Sequence, residues 1–176
     1  MSPSDVSPPG GPRTGRATPL YTPDQRRRRD ATPWTLVQGV LAPIQFLAFA
    51  VSVALVLRTL ASGRGADAAA ISVLVKTALL LAIMVTGAIW EKVVFGRYLF
   101  APAFYWEDVF SMLVIALHVA YVLALVSGVV DTRAQLFVAL AAYAAYLVNA
   151  TQFVLKLRAA RLQERVALVS VSRSAA

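Results

Sequence analysis

The amino-acid sequence predicts an all-α fold, an integral membrane four-helix bundle with both termini cytoplasmic. Three observations carry that prediction. Apolar residues fill 59% of the 176 positions and charged residues only 15%, whereas an average soluble domain is roughly 45–50% apolar; the mean hydropathy is +0.66. The apolar residues gather in four stretches, each longer than the ~20 residues that a helix rising about 1.5 Å per residue needs to cross ~30 Å of hydrocarbon. The basic residues, source of a formal net charge of +8, stand at the ends of those stretches.

Residues 1 to 20 are polar and rich in proline and glycine (Ser7-Pro8-Pro9-Gly10-Gly11-Pro12). So few apolar side chains cannot offset the entropy of ordering, and a disordered N-terminal tail is expected. It does not read as a signal peptide, because the apolar stretch after the Arg26 to Arg29 run is too long and no small-residue cleavage site closes it. Residues 21 to 163 form the membrane domain, with helices at about 34–60, 69–95, 106–130 and 134–157. Short breaks at Ser62 to Gly65 and Gly128 to Arg133, and a longer link from Gly96 to Tyr105 containing Pro102, separate them. Pro43 is expected to kink the first helix. Trp34, Trp90, Tyr98, Tyr105 and Trp106 gather at one set of ends, as an interfacial aromatic belt would. Residues 164 to 176 read as a C-terminal tail, and no internal repeat is present.

Orientation follows from the lysine and arginine distribution. Thirteen lie on the side of the termini: Arg13, Arg16 and Arg26 to Arg29; Lys92 and Arg97; and Lys156, Arg158, Arg161, Arg165 and Arg173. Three lie opposite (Arg58, Arg64, Arg133), and Lys76 falls inside a span. An excess of that size places both termini in the cytoplasm. The net charge is thus a topology signal rather than a nucleic-acid signature, and phospholipid headgroups are the anionic partner of the arginine runs.

Composition also removes chemistries. There is no cysteine, hence no thiolate metal site, iron–sulfur cluster or thiol nucleophile. One histidine, His118, cannot make a two-histidine metal site within a chain. Acid–base work on carboxylates, or binding without chemistry, is what is left.

Polar residues in a bilayer are costly and mark candidate sites. Gln38, Gln45 and Ser52 recur every seven residues on one face of the first helix. The second helix reaches the cytoplasmic boundary at Trp90-Glu91-Lys92, the third leaves it at Trp106-Glu107-Asp108, and the fourth presents Asn149, Gln152 and Lys156 beside Tyr146. Together they predict a polar pocket opening toward the inner leaflet, with Glu91, Glu107 and Asp108 at its mouth. Other readings fit each residue alone: helix-packing contacts for the glutamines, first-turn acids for Glu107 and Asp108, an interfacial pair for Glu91 and Lys92, and for Lys76 a neutralising partner or an outward snorkel. His118, near the midplane, reads as an interhelical hydrogen-bonding residue, a ligand to a chelated metal or a proton donor.

Three segments carry a family resemblance: Tyr-Thr-Pro-Asp-Gln-Arg-Arg-Arg-Arg-Asp-Ala-Thr-Pro-Trp-Thr-Leu-Val-Gln-Gly-Val (21 to 40), Trp-Glu-Lys-Val-Val-Phe-Gly-Arg-Tyr-Leu-Phe-Ala-Pro-Ala-Phe-Tyr-Trp-Glu-Asp-Val-Phe-Ser-Met (90 to 112) and Asn-Ala-Thr-Gln-Phe-Val-Leu-Lys-Leu-Arg-Ala-Ala-Arg (149 to 161). In them the chain closely resembles the 3-vinyl bacteriochlorophyllide hydratase (chlorophyllide a hydratase) family, over about residues 20 to 163. The resemblance implies a cofactor-independent lyase of the bacterial inner (intracytoplasmic) membrane. It would add water across the 3-vinyl group of chlorophyllide a, or of the corresponding bacteriochlorin, in bacteriochlorophyll biosynthesis.

That reaction suits the polar inventory. A general acid must protonate the terminal vinyl carbon, and a polar group or base must deliver water to its neighbour. Partial burial and like-charge neighbours keep one carboxyl of a group protonated near neutrality. Glu91 with Glu107 or Asp108 is therefore the expected catalytic set, with Asn149 and Gln152 orienting water. His118 is expected to ligate the substrate magnesium or donate the proton, Lys92 or Arg97 to hold the propionate, and Gln38, Gln45 and Tyr146 to line the pocket. The reading leaves room for a homo-oligomer or for contact with other pigment-biosynthesis enzymes. The competing class is a non-catalytic tetrapyrrole carrier or assembly factor, which a product assay separates; a proton-coupled transporter is a third reading, weakened by the missing repeat.

Overall fold

The computed structural model describes residues 20–174. The tail expected over residues 1 to 20 falls, except for Leu20, outside the described residues. Five helices account for nearly all of the rest: α1 (Pro23–Ala31), α2 (Pro33–Ser62), α3 (Ala66–Phe95), α4 (Tyr105–Ser127) and α5 (Thr132–Ser174). No strand occurs among the described residues.

α1 is the element that the sequence reading did not anticipate. Its start is a capping box: the Gln25 backbone N–H donates to Thr22 Oγ1 (3.3 Å) and the Thr22 N–H to Gln25 Oε1 (2.9 Å). Such caps contribute about 1 kcal/mol, and Pro23 begins the helix where no intrahelical N–H is needed. Thr32 then ends α1 and caps α2, accepting from the Trp34 N–H. Tyr21, just before α1, stacks on Phe95 at 5.8 Å, and Trp90 Nε1 donates to Thr35 Oγ1 at the start of α2 at 2.9 Å; between these two anchors the basic helix packs against α3.

α2 to α5 hold the four candidate membrane spans: Pro33–Ser62, Ala66–Phe95, Tyr105–Ser127 and Thr132–Gln163. Only 17–28% of each apolar window is buried inside the protein, and Leu36, Leu47, Ile71, Val85, Leu123 and Val126 point outward. Apolar surface on that scale requires lipid around it, which makes this a multi-pass membrane protein. α2 continues through Pro43 without interruption. The span expected to reach residue 130 stops at Ser127, where Gly128 takes a left-handed φ of 65° that residues with a Cβ adopt only with strain. α5 runs on to Ser174, well past the apolar stretch and through most of the expected C-terminal tail.

α2 packs closely on α3 and α4 on α5, as two antiparallel hairpins. These meet along two sparser seams, α2 with α5 and α3 with α4, closing a four-helix ring. Apolar layers alternate with polar ones along its axis. At the end carrying the 96 to 104 link, Tyr21, Val94, Phe104 and Ala160 pack together; Leu80, Val114 and Tyr146 form a middle layer; Val56, Val73, Tyr121, Leu136 and Tyr143 fill the far end.

Candidate active site

The link end gathers the three carboxylates. Glu91 closes the last turns of α3, and Glu107 and Asp108 open α4; all three are buried. The link folds back over them. Asp108 Oδ2 accepts the Phe100 N–H at 2.7 Å and Glu91 Oε2 the Ala101 N–H at 3.3 Å. Phe100 is the one non-glycine among the described residues with positive φ (58°), a conformation costing roughly 1–2 kcal/mol for a residue with a Cβ. Its hydrogen bond to Asp108 offsets that cost. The adjacent Phe100 and Ala101 amides bring the Glu91 and Asp108 carboxyl groups side by side, and Glu107 lies close enough for its charge to act on both.

Lys156 reaches across from α5 to complete the group, donating to Glu107 Oε2 at 2.6 Å over the Phe104 ring. One turn into the bundle, Asn149 Nδ2 donates to Ser111 Oγ at 2.8 Å, leaving Asn149 Oδ1 buried without a partner. Gln152 borders this layer; its Oε1 is likewise buried and unpartnered, and the residue lines an open groove of about 530 Å³ on α5 with Ala144, Leu147, Val148, Thr151 and Leu155.

The other predicted residues divide. Gln38 bonds Thr86 Oγ1 at 2.7 Å and Ser52 bonds Ser72 at 2.7 Å and the Tyr143 hydroxyl, so both tie helices together. Gln45 is buried with Oε1 unpartnered. His118 is 1% exposed. Its Nδ1 lies 2.8 Å from the Val114 carbonyl, a bond that needs the hydrogen on Nδ1 and leaves the Nε2 lone pair unpartnered in the interior. Lys92 and Arg97 are exposed beside the link; Lys92 donates to the Gly96 carbonyl at 3.0 Å and forms no pair with Glu91. Lys76 corrects both expectations held for it. It is fully buried, not snorkelled, and its ammonium lies 3.8 Å from the centre of the Tyr146 ring with no hydrogen-bond acceptor among the described residues.

Ser111 and the Phe100 and Ala101 amides entered no list of candidates. Ser111 was within reach of pattern reasoning, standing three residues after Asp108 and seven before His118 on one helical face. The amides were not, since they depend on the conformation of the link.

A multi-pass helical bundle that encloses carboxylates at one end of its spans defines a helical membrane protein with a buried acidic cluster. The profile of the 2-vinyl bacteriochlorophyllide hydratase family matches residues 21–159. The 2-vinyl bacteriochlorophyllide hydratase of Rhodobacter capsulatus is 64% identical over 155 residues, 88% of this chain and 90% of its own length. That of Cereibacter sphaeroides is 65% identical over 148 residues, 84% of this chain and 92% of its own. The chain belongs to the 2-vinyl bacteriochlorophyllide hydratase family, and so to the hydro-lyases. No solved structure matches it.

Proposed function

We propose that the protein adds water across the 3-vinyl group of chlorophyllide a, or of 3-vinyl bacteriochlorophyllide a, giving the 3-(1-hydroxyethyl) product in bacteriochlorophyll a biosynthesis, with Glu91 and Asp108 as the acid–base centre. We read the 2-vinyl of the relatives' names as the same substituent under a different ring numbering. The relatives' names support the reaction. The observation that carries the chemistry is the convergence of the buried Glu91 and Asp108 carboxyl groups on the adjacent Ala101 and Phe100 amides. On this reading the two neighbouring buried carboxyls hold one proton between them, because like charges so close together do not both ionise.

That proton goes to the terminal vinyl carbon. The cation on the adjacent carbon is delocalised into the macrocycle, and Glu107, paired with Lys156, stabilises it. Water adds its oxygen to that carbon while donating toward the free acceptors Asn149 Oδ1 and Gln152 Oε1, and its surplus proton returns to the carboxylate pair. The sum is one H and one OH added, with nothing oxidised. His118 Nε2 ligates the substrate magnesium, its orientation fixed by the bond from Nδ1 to Val114. Gln45 and Tyr146 form the interior wall, while Gln38, Lys92 and Arg97 border the entrance at the link end.

Residues 21 to 163 form the catalytic domain, and the thirteen-to-three bias of basic residues supports cytoplasmic termini in a bacterial inner membrane. The site then opens to the inner leaflet, where a flat apolar ring with one acidic arm partitions.

Membranes containing the protein should convert a 3-vinyl chlorin to a product whose red absorption band lies at shorter wavelength, with oxygen from labelled water in the new hydroxyl. Conversion at the wild-type rate by Glu91→Gln, Glu107→Gln and Asp108→Asn alike would refute the carboxylate centre. Co-purified but unconverted pigment would point to a carrier.

A further inference from the structure

The ammonium of Lys76 is the interior charge that the hydration scheme leaves unused. A lysine in the hydrocarbon region is costly unless something matches it. No buried acid among the described residues does so: Glu91, Glu107 and Asp108 sit at the link end, and the cation beside them is Lys156. Inside the bundle Lys76 rests on the face of Tyr146, within electrostatic reach of His118. The basic residues first expected to hold the substrate's propionate, Lys92 and Arg97, are exposed, and Lys92 bonds its own helix terminus.

We propose that Lys76 binds the carboxylate of the substrate's acidic arm and so sets which edge of the macrocycle faces the carboxyl pair. The inference rests on the hydratase reading.

Spacing supports it. From Asp108, Ser111 is one turn along α4; Asn149 bonds Ser111; Tyr146 is one turn from Asn149 along α5; and Lys76 Nζ lies 3.8 Å from the centre of the Tyr146 ring. Two turns rise about 9 to 11 Å, so the ammonium and the acid pair stand on the order of 10 to 15 Å apart. Along α3 itself the Cα atoms of Lys76 and Glu91 are about 22 Å apart, and the Glu91 side chain leans back toward Lys76. A macrocycle bearing its vinyl group and its acidic arm on adjacent pyrrole rings spans a distance of the same order. Ion pairing away from water is also strong enough to orient a ring that is otherwise nearly uniform in its apolar contacts.

The test compares chlorophyllide a as the free acid with its propionate methyl ester, using the full-length protein in lipid nanodiscs. Wild type should prefer the free acid by about tenfold or more in kcat/KM, chiefly through KM, as expected for a binding contact made before the chemical step. Lys76→Met should abolish the preference and Lys76→Arg should retain it. Equal use of acid and ester by wild type would overturn the proposal with no variant needed. Retention of the full preference by Lys76→Met, or its loss in Lys92→Gln or Arg97→Gln instead, would overturn it as well. Failure of wild type to hydrate either compound would refute the hydratase reading itself, and the proposal with it.

Discussion

On the proposed mechanism Asp108 has two tasks, holding the link and supplying a proton, and one pair of substitutions separates them. Its Oδ2 accepts the Phe100 N–H at 2.7 Å, beside Glu91, which accepts the next amide, that of Ala101. Asp108→Asn keeps the shape: the amide oxygen still accepts from Phe100, and the amide N–H replaces the shared proton in the contact with Glu91. The fold should lose less than about 1 kcal/mol, within the range for exchanging one satisfied hydrogen bond for another. The proton available to the vinyl carbon disappears, so kcat should fall by about 10²- to 10⁴-fold, or roughly 2.7 to 5.5 kcal/mol in the barrier. Asp108→Ala removes both tasks. It orphans the Phe100 N–H, at about 1–3 kcal/mol, in a residue already strained by its positive φ. Thermal unfolding followed by circular dichroism, beside initial rates from the red absorption band, measures both quantities. The reasoning fails if Asp108→Asn turns over within about threefold of wild type, below the smallest loss expected for an acid–base group. It fails equally if Asp108→Asn is as unstable as Asp108→Ala, since the carboxyl would then serve only to hold the link.

Other consequences can be measured in the same way. The Lys156 to Glu107 pair is mostly buried, so Lys156→Met should destabilise by about 2–4 kcal/mol. Combining it with Glu107→Gln should cost about 1–3 kcal/mol less than the sum of the single changes; additivity would remove the pair from the account. Phe100→Gly relieves the positive φ and should raise stability by up to about 1 kcal/mol, less the lost contact with Tyr105; a clear destabilisation would show that the ring matters more than the strain. If His118 holds the substrate magnesium as proposed, His118→Ala should alter the absorption of bound magnesium chlorin and leave magnesium-free pheophorbide binding unchanged, whereas equal effects on both would assign His118 to packing.

What could be read from the sequence follows from which forces act locally. The four spans were legible because hydrocarbon imposes length and apolarity on each helix separately, whatever its neighbours. α1 was obscured by composition: Thr22-Pro23-Asp24-Gln25 is a helix start, but it lies between a proline-rich tail and four arginines. The far end of α5 was misplaced because the apolar stretch ends near Leu157, whereas the helix continues on Leu, Arg, Ala and Gln, all good helix formers. A membrane boundary and a helix boundary are different things. For the heptad of Gln38, Gln45 and Ser52, periodicity identified the face but could not name Thr86, Ser72 and Tyr143 as partners. Those are set by how the hairpins rotate against each other.

The acid site shows where local reasoning stops. Glu91 and Asp108 are separated by seventeen positions and a link whose turn no propensity would choose, since Phe100 holds a backbone conformation that its Cβ disfavours. The turn forms because the carboxylates accept the amides it presents. The carboxyl pair stays close because the turn closes over it. Neither half is stable without the other: two ionised carboxylates would repel, and the link's amides would be buried without acceptors. A proton on one carboxyl resolves both conflicts, leaving acceptor oxygens for the amides and a donor for the contact between the acids. On the proposed mechanism, the proton that hydration would use is one that the folded link already calls for.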